Sequence, residues 1–136
     1  MNLNKIKFYS PSFSWAFFIL FICLLPQNKI PKQHFAHEDL LVHLTLYFIL
    51  GILVLFAWFK TNTIITIRQL ISTWAAISLF GLSIEVLQAI LPIHRSFSLE
   101  DFSVNSIGVA IIFFKEKVDV WFVNFFPPNN SMHQEG

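Results

Sequence analysis

The sequence predicts an all-α integral membrane protein, a bundle of four transmembrane helices followed by a short C-terminal interfacial segment. Of the 136 residues, 55% are hydrophobic and only 12% are charged, whereas about 25% of residues are charged in ordinary soluble domains. Seventeen Phe and four Trp also present more apolar surface than a soluble domain of this size can bury. Lipid is therefore the expected solvent, and we expect a single domain over residues 1–136.

Four apolar stretches correspond to the four helices, because a helix needs about 20 mostly apolar residues to cross the hydrocarbon core. The first stretch ends at Pro26. The second has His43 as its only ionisable residue and ends at Lys60, and the third stops at Pro92. The predicted spans are approximately 8–25, 40–59, 70–91 and 97–114.

The fourth stretch is the shortest of the four. Its uninterrupted apolar part, Phe102 to Phe114, has thirteen residues and reaches eighteen when the helix begins at Phe97. We predict a span here, with a re-entrant segment as the alternative. Beyond it, Val118 to Phe126 combines Trp and Phe with polar residues, which is typical of an interfacial segment. The polar tail, 127–136, is predicted to be disordered.

The basic residues in the connections predict the orientation, because cytoplasmic loops carry the excess of Lys and Arg. Six fall on one side of the membrane, namely Lys5, Lys7, Lys60, Arg68, Lys115 and Lys117. Three fall on the other side, namely Lys29, Lys32 and Arg95. We therefore expect a multi-pass protein of the cell membrane with both termini in the cytoplasm and with segments 26–39 and 92–101 facing outward.

Ionisable and amide side chains gather at the outward ends of the predicted helices. They are Asp39, His43, Tyr47, Glu85, Gln88, Arg95, Asp101 and Asn105. Spacings of three or four residues put the members on each helix on one face. Such convergence is more than helix packing requires, and it predicts a shared functional site.

Each of these residues also has a structural interpretation. Glu85 and Gln88 can fix helix packing through hydrogen bonds, His43 and Tyr47 can anchor at the interface, and Asp101 can be the N-cap of the fourth helix. An ionised Glu85 near the bilayer centre would cost on the order of 3 kcal/mol. Arg95, ten residues later, is the nearest candidate cation to pair with it.

The same residues suggest a binding site and, less directly, a catalytic one. Arg95 can hold a phosphate or carboxylate, with Asn105, Gln88, Asp101 and Tyr47 as further ligand-binding candidates. For catalysis, His43 is the candidate base, Asp39 its orienting group and Glu85 the candidate acid. No nucleophile is marked, so enzyme activity stays open. His43 and Asp39 alone are too few to specify a metal, and neither metal nor cofactor is expected.

Three motifs carry a resemblance to a known family. They are Asp39-x-x-x-His43-x-x-x-Tyr47-x-x-x-Gly51, then Glu85-x-x-Gln88, then Arg95-Ser96-Phe97-Ser98-x-x-Asp101-x-x-x-Asn105-x-x-Gly108. Together they resemble the VanZ-like family of small membrane proteins, named for an accessory protein of teicoplanin resistance. The resemblance covers roughly residues 39–108 and implies a place in the cell envelope, without implying a reaction. Leu40 stands where the family usually has Lys.

Two functions from different classes follow from these observations. The first is an envelope protein that binds or modifies an amphipathic or lipid-linked substrate at the outer leaflet, with a link to glycopeptide resistance implied by the resemblance. Its partner would be a membrane lipid or a lipid-linked envelope precursor. The second is a non-catalytic scaffold whose polar residues fix helix packing or dock a partner. A transporter would require a homo-oligomer, and a net charge of +1 argues against nucleic acid as a partner.

Overall fold

The computed structural model describes residues 3–26, 38–61, 64–93 and 95–126, and all regular structure in these ranges is helical. The helices are α1 (Leu3–Cys23), α2 (Glu38–Lys60), α3 (Ile67–Ile90), α4 (Leu99–Val109) and α5 (Lys115–Phe125), with a 3₁₀ segment at Ala110–Phe114 between the last two. The all-α prediction is confirmed for this part of the chain. The predicted disordered tail, 127–136, lies outside the described residues.

Among the described residues, three helices are long and apolar enough to cross a membrane. The qualifying segments are Ile6–Cys23, Asp39–Lys60 and Ile67–Ile90, and they agree with the first three predicted spans. α4 has only 11 residues, which is too few to cross a bilayer by itself. The helix tightens to 3₁₀ geometry at Ala110 and continues directly into α5. Three of the four predicted spans therefore have a helix of sufficient length.

Local hydrogen bonds compensate for breaks in the helical pattern. Pro11 lies inside α1 and has no N–H to donate to the carbonyl four residues earlier. The hydroxyl of Ser10 donates to that carbonyl, on Lys7, at 2.8 Å. At the start of α3, Thr66 and Gln69 form a reciprocal capping box, which satisfies two N–H groups that the helix leaves free.

The helices pack through two apolar clusters. The first joins α1, α2 and α3 around Tyr47, which is fully buried. The second joins α2 to α4, the 3₁₀ segment and α5, and it includes Phe122 at 2% exposure. The segment predicted as interfacial is thus helical through Phe125 and packs against the C-terminal half of α2. Its position at the membrane interface stays a prediction.

Indole hydrogen bonds and one glycine link the helices further. Trp15 donates to the carbonyl of Leu46 and Trp74 to that of Ser106, each at 2.9 Å. Gly108 of α4 lies directly on α2, where an added Cβ would be only 2.6 Å from a backbone oxygen of α2. The two helices therefore approach more closely at this point than a side chain at position 108 would allow.

Candidate functional site at one end of the bundle

Six polar side chains meet where α1 and α3 end and where α2 and α4 begin. We call them the ionisable cluster, and its members are Asp39, His43, Glu85, Arg95, Asp101 and Asn105. They come from α2, α3, α4 and the segment between α3 and α4. Residues more than 60 positions apart in sequence are thereby brought into hydrogen-bond contact.

Arg95 pairs with Asp39 across the end of the bundle. Its Nη2 atom lies 3.3 Å from Oδ2 of Asp39, and the two side chains are 13% and 37% exposed. The predicted pairing of Arg95 with Glu85 is wrong, because the segment after α3 carries the guanidinium toward the beginning of α2. Leu40 follows Asp39 and cannot supply a charge. Arg95 provides Asp39 with a cation partner instead.

The ring of His43 is held by α4. Its Nδ1 atom lies 3.1 Å from Oδ1 of Asn105, and the side chain of His43 is 2% exposed. An amide oxygen only accepts hydrogen bonds, so Nδ1 donates and the neutral ring keeps its lone pair on Nε2. The group that orients His43 by a hydrogen bond is thus Asn105, whereas the sequence suggested Asp39.

Glu85 is fully buried beside this ring. Its Oε2 accepts a hydrogen bond from the backbone N–H of Ser98 at 3.3 Å. Its Oε1 lies 3.8 Å from Nδ1 of His43 and has no hydrogen-bond partner among the residues that the structure describes. The carboxyl group is therefore only partly satisfied within the protein.

Asp101 faces the cluster and does not cap α4. The N-cap is Ser98, whose hydroxyl accepts from the backbone N–H of Asp101 at 3.1 Å, so the alternative interpretation of Asp101 as the N-cap is wrong. The spacing Ser98-x-x-Asp101 is a capping pattern from which the sequence could have identified the cap. The carboxyl group of Asp101, on a residue that is 8% exposed, is left available for the site.

Asp101 also joins His43 and Asp39 in a close group. One donor atom from each residue lies within 4.8 Å of the donor atoms of the other two. The sequence analysis named all three residues but considered only Asp39 and His43 together as metal ligands, because nothing in the spacing of α2 reveals which residue of α4 will face it.

Gln88 forms a hydrogen bond outside the cluster, and Tyr47 packs against α3 with its hydroxyl unpaired among the described residues. The amide nitrogen of Gln88 donates to the carbonyl of Cys23 at 2.8 Å, which ties α3 to the end of α1. The ring of Tyr47 packs on α3, where a Cβ added at Gly81 would lie 3.0 Å from its hydroxyl oxygen. Both residues therefore contribute to helix packing, and their participation in ligand binding stays a prediction.

The cluster provides groups for binding and for proton transfer. Arg95 offers guanidinium N–H groups, and His43 can exchange a proton with an adjacent carboxyl group. The hydroxyl of Ser98 is engaged as a helix cap, so it is not marked as a nucleophile. The cluster can bind a ligand through these groups, whereas a catalytic role stays open.

The class of the protein follows from its surface together with these helices. Large aromatic side chains face outward along α1, including Phe13 at 72% and Phe17 at 71% exposure, while carboxyl, imidazole and amide groups are buried. Water favours the opposite arrangement, and lipid favours this one. With three apolar helices of spanning length, the chain is a multi-pass helical membrane protein.

Residues 3–115 match the model of the VanZ/LLP1 family, and the chain belongs to this family. The match confirms the resemblance seen in the three motifs and extends it over α1 and the 3₁₀ segment. Comparison with curated proteins and with solved structures gives no significant match.

Proposed function

We propose that this protein binds the polar headgroup of an amphipathic or lipid-linked substrate at the outer leaflet of the cell membrane. A catalytic form of the proposal adds chemical modification of the same headgroup. The observation that carries the proposal is the ionisable cluster itself, which gathers groups from three helices and a loop at one end of an otherwise apolar bundle. Its Arg95 and Asp39 are the part-exposed members. A headgroup would meet these two residues first.

An apolar groove beside the cluster supports an amphipathic ligand. It lies between α2 and α4, has a volume of about 450 Å³, and is lined by Leu44, Thr45, Phe48, Ile107, Gly108, Ala110, Ile111 and Phe114. Leu44 follows His43, and Gly108 lies three residues after Asn105, so the groove begins within one turn of the cluster. A hydrocarbon tail in the groove would place its headgroup at the cluster.

The proposed topology rests on the distribution of Lys and Arg. Both termini are cytoplasmic, and the ionisable cluster faces the exterior or the periplasm. In this arrangement α4 and the 3₁₀ segment form the fourth crossing. Eleven residues at 1.5 Å and five at about 2 Å extend roughly 26 Å, which approaches the thickness of the hydrocarbon core.

A role in glycopeptide resistance is a further part of the proposal, and family membership supports it. Lipophilic glycopeptides and lipid-linked envelope precursors both join polar groups to a hydrocarbon tail. Either would suit a polar cluster beside an apolar groove. Their shared chemistry is what the site is proposed to recognise.

A scaffold is the second candidate, and the bond from Gln88 to Cys23 favours it. This bond and the two indole bonds connect different helices, which supports an interpretation in which polar groups fix helix packing. Under this interpretation, changes in the cluster would reduce helix association and function together.

Lipid analysis of the purified protein tests the proposal. The wild type and Arg95→Ala are extracted in mild detergent, and co-purifying lipids are measured by mass spectrometry. We expect a lipid class with an anionic headgroup to be enriched on the wild type and lost from Arg95→Ala. Arg68→Ala, at an exposed position in the first turn of α3, is the matched control and should retain the lipid.

Two outcomes would contradict the proposal. One is equal lipid content in Arg95→Ala and the wild type. The other is a loss of folded protein in Arg95→Ala that matches its loss of lipid, which would favour the scaffold.

A further inference from the structure

We propose that the ionisable cluster holds a divalent transition-metal ion, Zn²⁺ or Mn²⁺, between Asp39, His43 and Asp101. One donor atom from each residue lies within 4.8 Å of the other two. A metal with bonds of about 2.1 Å needs its donors within roughly 4 Å of one another. Side-chain rotations that move these atoms by about 1 Å therefore complete the site.

The types of the donors select the class of metal. Zn²⁺ accepts imidazole and carboxylate ligands, and carboxylates also suit Mn²⁺. Mg²⁺ and Ca²⁺ take oxygen ligands only, so they would leave His43 without a role. One imidazole with two carboxylates thus favours Zn²⁺ or Mn²⁺ over the alkaline-earth ions.

The hydrogen bond between His43 and Asn105 prepares the imidazole to bind a metal. Metal-binding His residues generally donate their second ring N–H to an oxygen acceptor, which fixes the ring and its tautomer. Here Nδ1 lies 3.1 Å from Oδ1 of Asn105, which leaves the lone pair on Nε2 for the metal.

An unsatisfied buried carboxyl oxygen lies next to the proposed site. Oε1 of Glu85 belongs to a side chain with 0% exposure, and it accepts no hydrogen bond from any described residue. It lies 3.8 Å from Nδ1 of His43, on the side of the ring that faces Asn105, so it contributes to the charge around the site and is not one of the proposed ligands. Within the described part of the chain the guanidinium of Arg95 pairs with Asp39, and burying a carboxylate such as that of Glu85 or Asp101 without a paired cation is costly. A divalent ion would neutralise it.

The backbone holds the donors on rigid elements. Asp39 and His43 are one turn apart on α2, and Asp101 lies in the first turn of α4. The two helices are in close contact at Gly108. Three protein donors leave at least one coordination position open for water or for an oxygen of a bound anion.

The proposed metal centre does not depend on the proposed lipid binding. A bound metal would, however, help to explain how the cluster attracts an anionic headgroup. The carboxylates of the cluster repel an anionic headgroup, and a bound divalent ion reverses the local charge. The metal can be measured without lipid. Failure of one proposal is therefore distinguishable from failure of the other.

Metal binding to the purified protein tests the inference directly. The full chain carries an affinity tag without histidine, is stripped with a chelator in detergent, and is titrated with Zn²⁺, Mn²⁺ and Mg²⁺ by calorimetry. We expect one Zn²⁺ or Mn²⁺ per chain, with affinity reduced on the order of a hundredfold or more in His43→Gln and in Asp101→Asn. Asn105→Leu should reduce the metal affinity about 10–100-fold, as is typical when a group that orients a metal ligand is removed.

Two controls separate metal binding from a general effect on folding. Glu100→Gln removes an exposed carboxyl group next to Asp101 and should leave the affinity unchanged. Co²⁺ substituted for the native metal should give a visible absorption spectrum that changes in His43→Gln, which a purely structural role would not produce. Absence of stoichiometric binding, affinity unaffected by His43→Gln and Asp101→Asn, or binding of Mg²⁺ alone would each overturn the proposal.

Discussion

The imidazole of His43 on α2 is bound by Asn105 on α4, with 3.1 Å between Nδ1 and Oδ1. The two residues are 2% and 1% exposed. Loss of the acceptor would leave a buried N–H without a partner, which costs about 1–3 kcal/mol. This hydrogen bond therefore couples the tautomer of the ring to the packing of α2 against α4.

Replacing Asn105 should affect both stability and tautomer. We expect Asn105→Leu to lower the free energy of unfolding by about 1–3 kcal/mol, measured by thermal unfolding in detergent. In metal-free wild-type protein, ¹⁵N spectra should show a proton on Nδ1 of His43 and none on Nε2, with His43→Gln used to assign the signals. Asn124→Leu, at an exposed position on α5, is the control. A wild-type Nδ1 without a proton would contradict the prediction.

The pair between Arg95 and Asp39 should contribute little to stability. Part-exposed ion pairs contribute about 1 kcal/mol or less, and these side chains are 13% and 37% exposed. We therefore expect Arg95→Ala and Asp39→Asn each to change the free energy of unfolding of the metal-free protein by no more than about 1 kcal/mol, measured by chemical denaturation. A larger loss, comparable with that of Asn105→Leu, would place Arg95 in the packing of the fold and favour the scaffold function.

The contact at Gly108 should be the most sensitive to added volume. A Cβ there would lie 2.6 Å from the backbone oxygen of Leu44 and 3.0 Å from the backbone nitrogen of Phe48, so α4 must move away from α2. We expect Gly108→Ala to lower the free energy of unfolding by about 1–3 kcal/mol, seen as a fall in Tm in detergent.

Gly51→Ala is the matched control for Gly108→Ala. Its Cβ would meet the Cγ2 atom of Ile111 at 2.6 Å. Ile111 is branched at Cβ and stiff at χ1, but moving one side chain is a smaller change than moving the backbone of α2. Alanine also favours helix over glycine by about 1 kcal/mol. Gly51→Ala should therefore be better tolerated, and equal losses in the two variants would contradict the assigned contact.

The sequence predicted the helices well because hydropathy is a local property. The first three spans agree with α1, α2 and α3 to within a few residues, since apolar runs and Pro residues mark them directly. The change to 3₁₀ geometry at Ala110 was missed, because the apolar run continues through Phe114 without any marker in the sequence.

The partners within the site were harder to predict because they depend on how helices pack. The motifs identified the residues of the cluster, but separation along the chain favoured Glu85 as the partner of Arg95. In the structure Arg95 reaches Asp39, 56 residues away. The proximity of Asp101 to Asp39 and His43 likewise depends on the close approach of α4 to α2 at Gly108, which spacing within one helix cannot reveal.

Cysteine labelling tests the proposed orientation of the site. Cys23 is the only cysteine in the sequence and is 4% exposed, so Cys23→Ala provides a cysteine-free background. Ser96→Cys adds a thiol at an exposed position beside the ionisable cluster, and Glu116→Cys adds one at an exposed position on α5. Because basic residues concentrate at the α5 end, we expect a membrane-impermeant maleimide to label Ser96→Cys from outside and not Glu116→Cys.

Each labelling experiment needs cells whose plasma membrane is sealed, so spheroplasts are used where an outer membrane is present. Permeabilised cells supply the control, since both thiols should then react to a similar extent. α3 alone separates the two ends by about 36 Å, so the reagent cannot reach both from one side. Labelling of Glu116→Cys but not Ser96→Cys in sealed cells would place the cluster in the cytoplasmic half of the membrane and exclude a substrate at the outer leaflet.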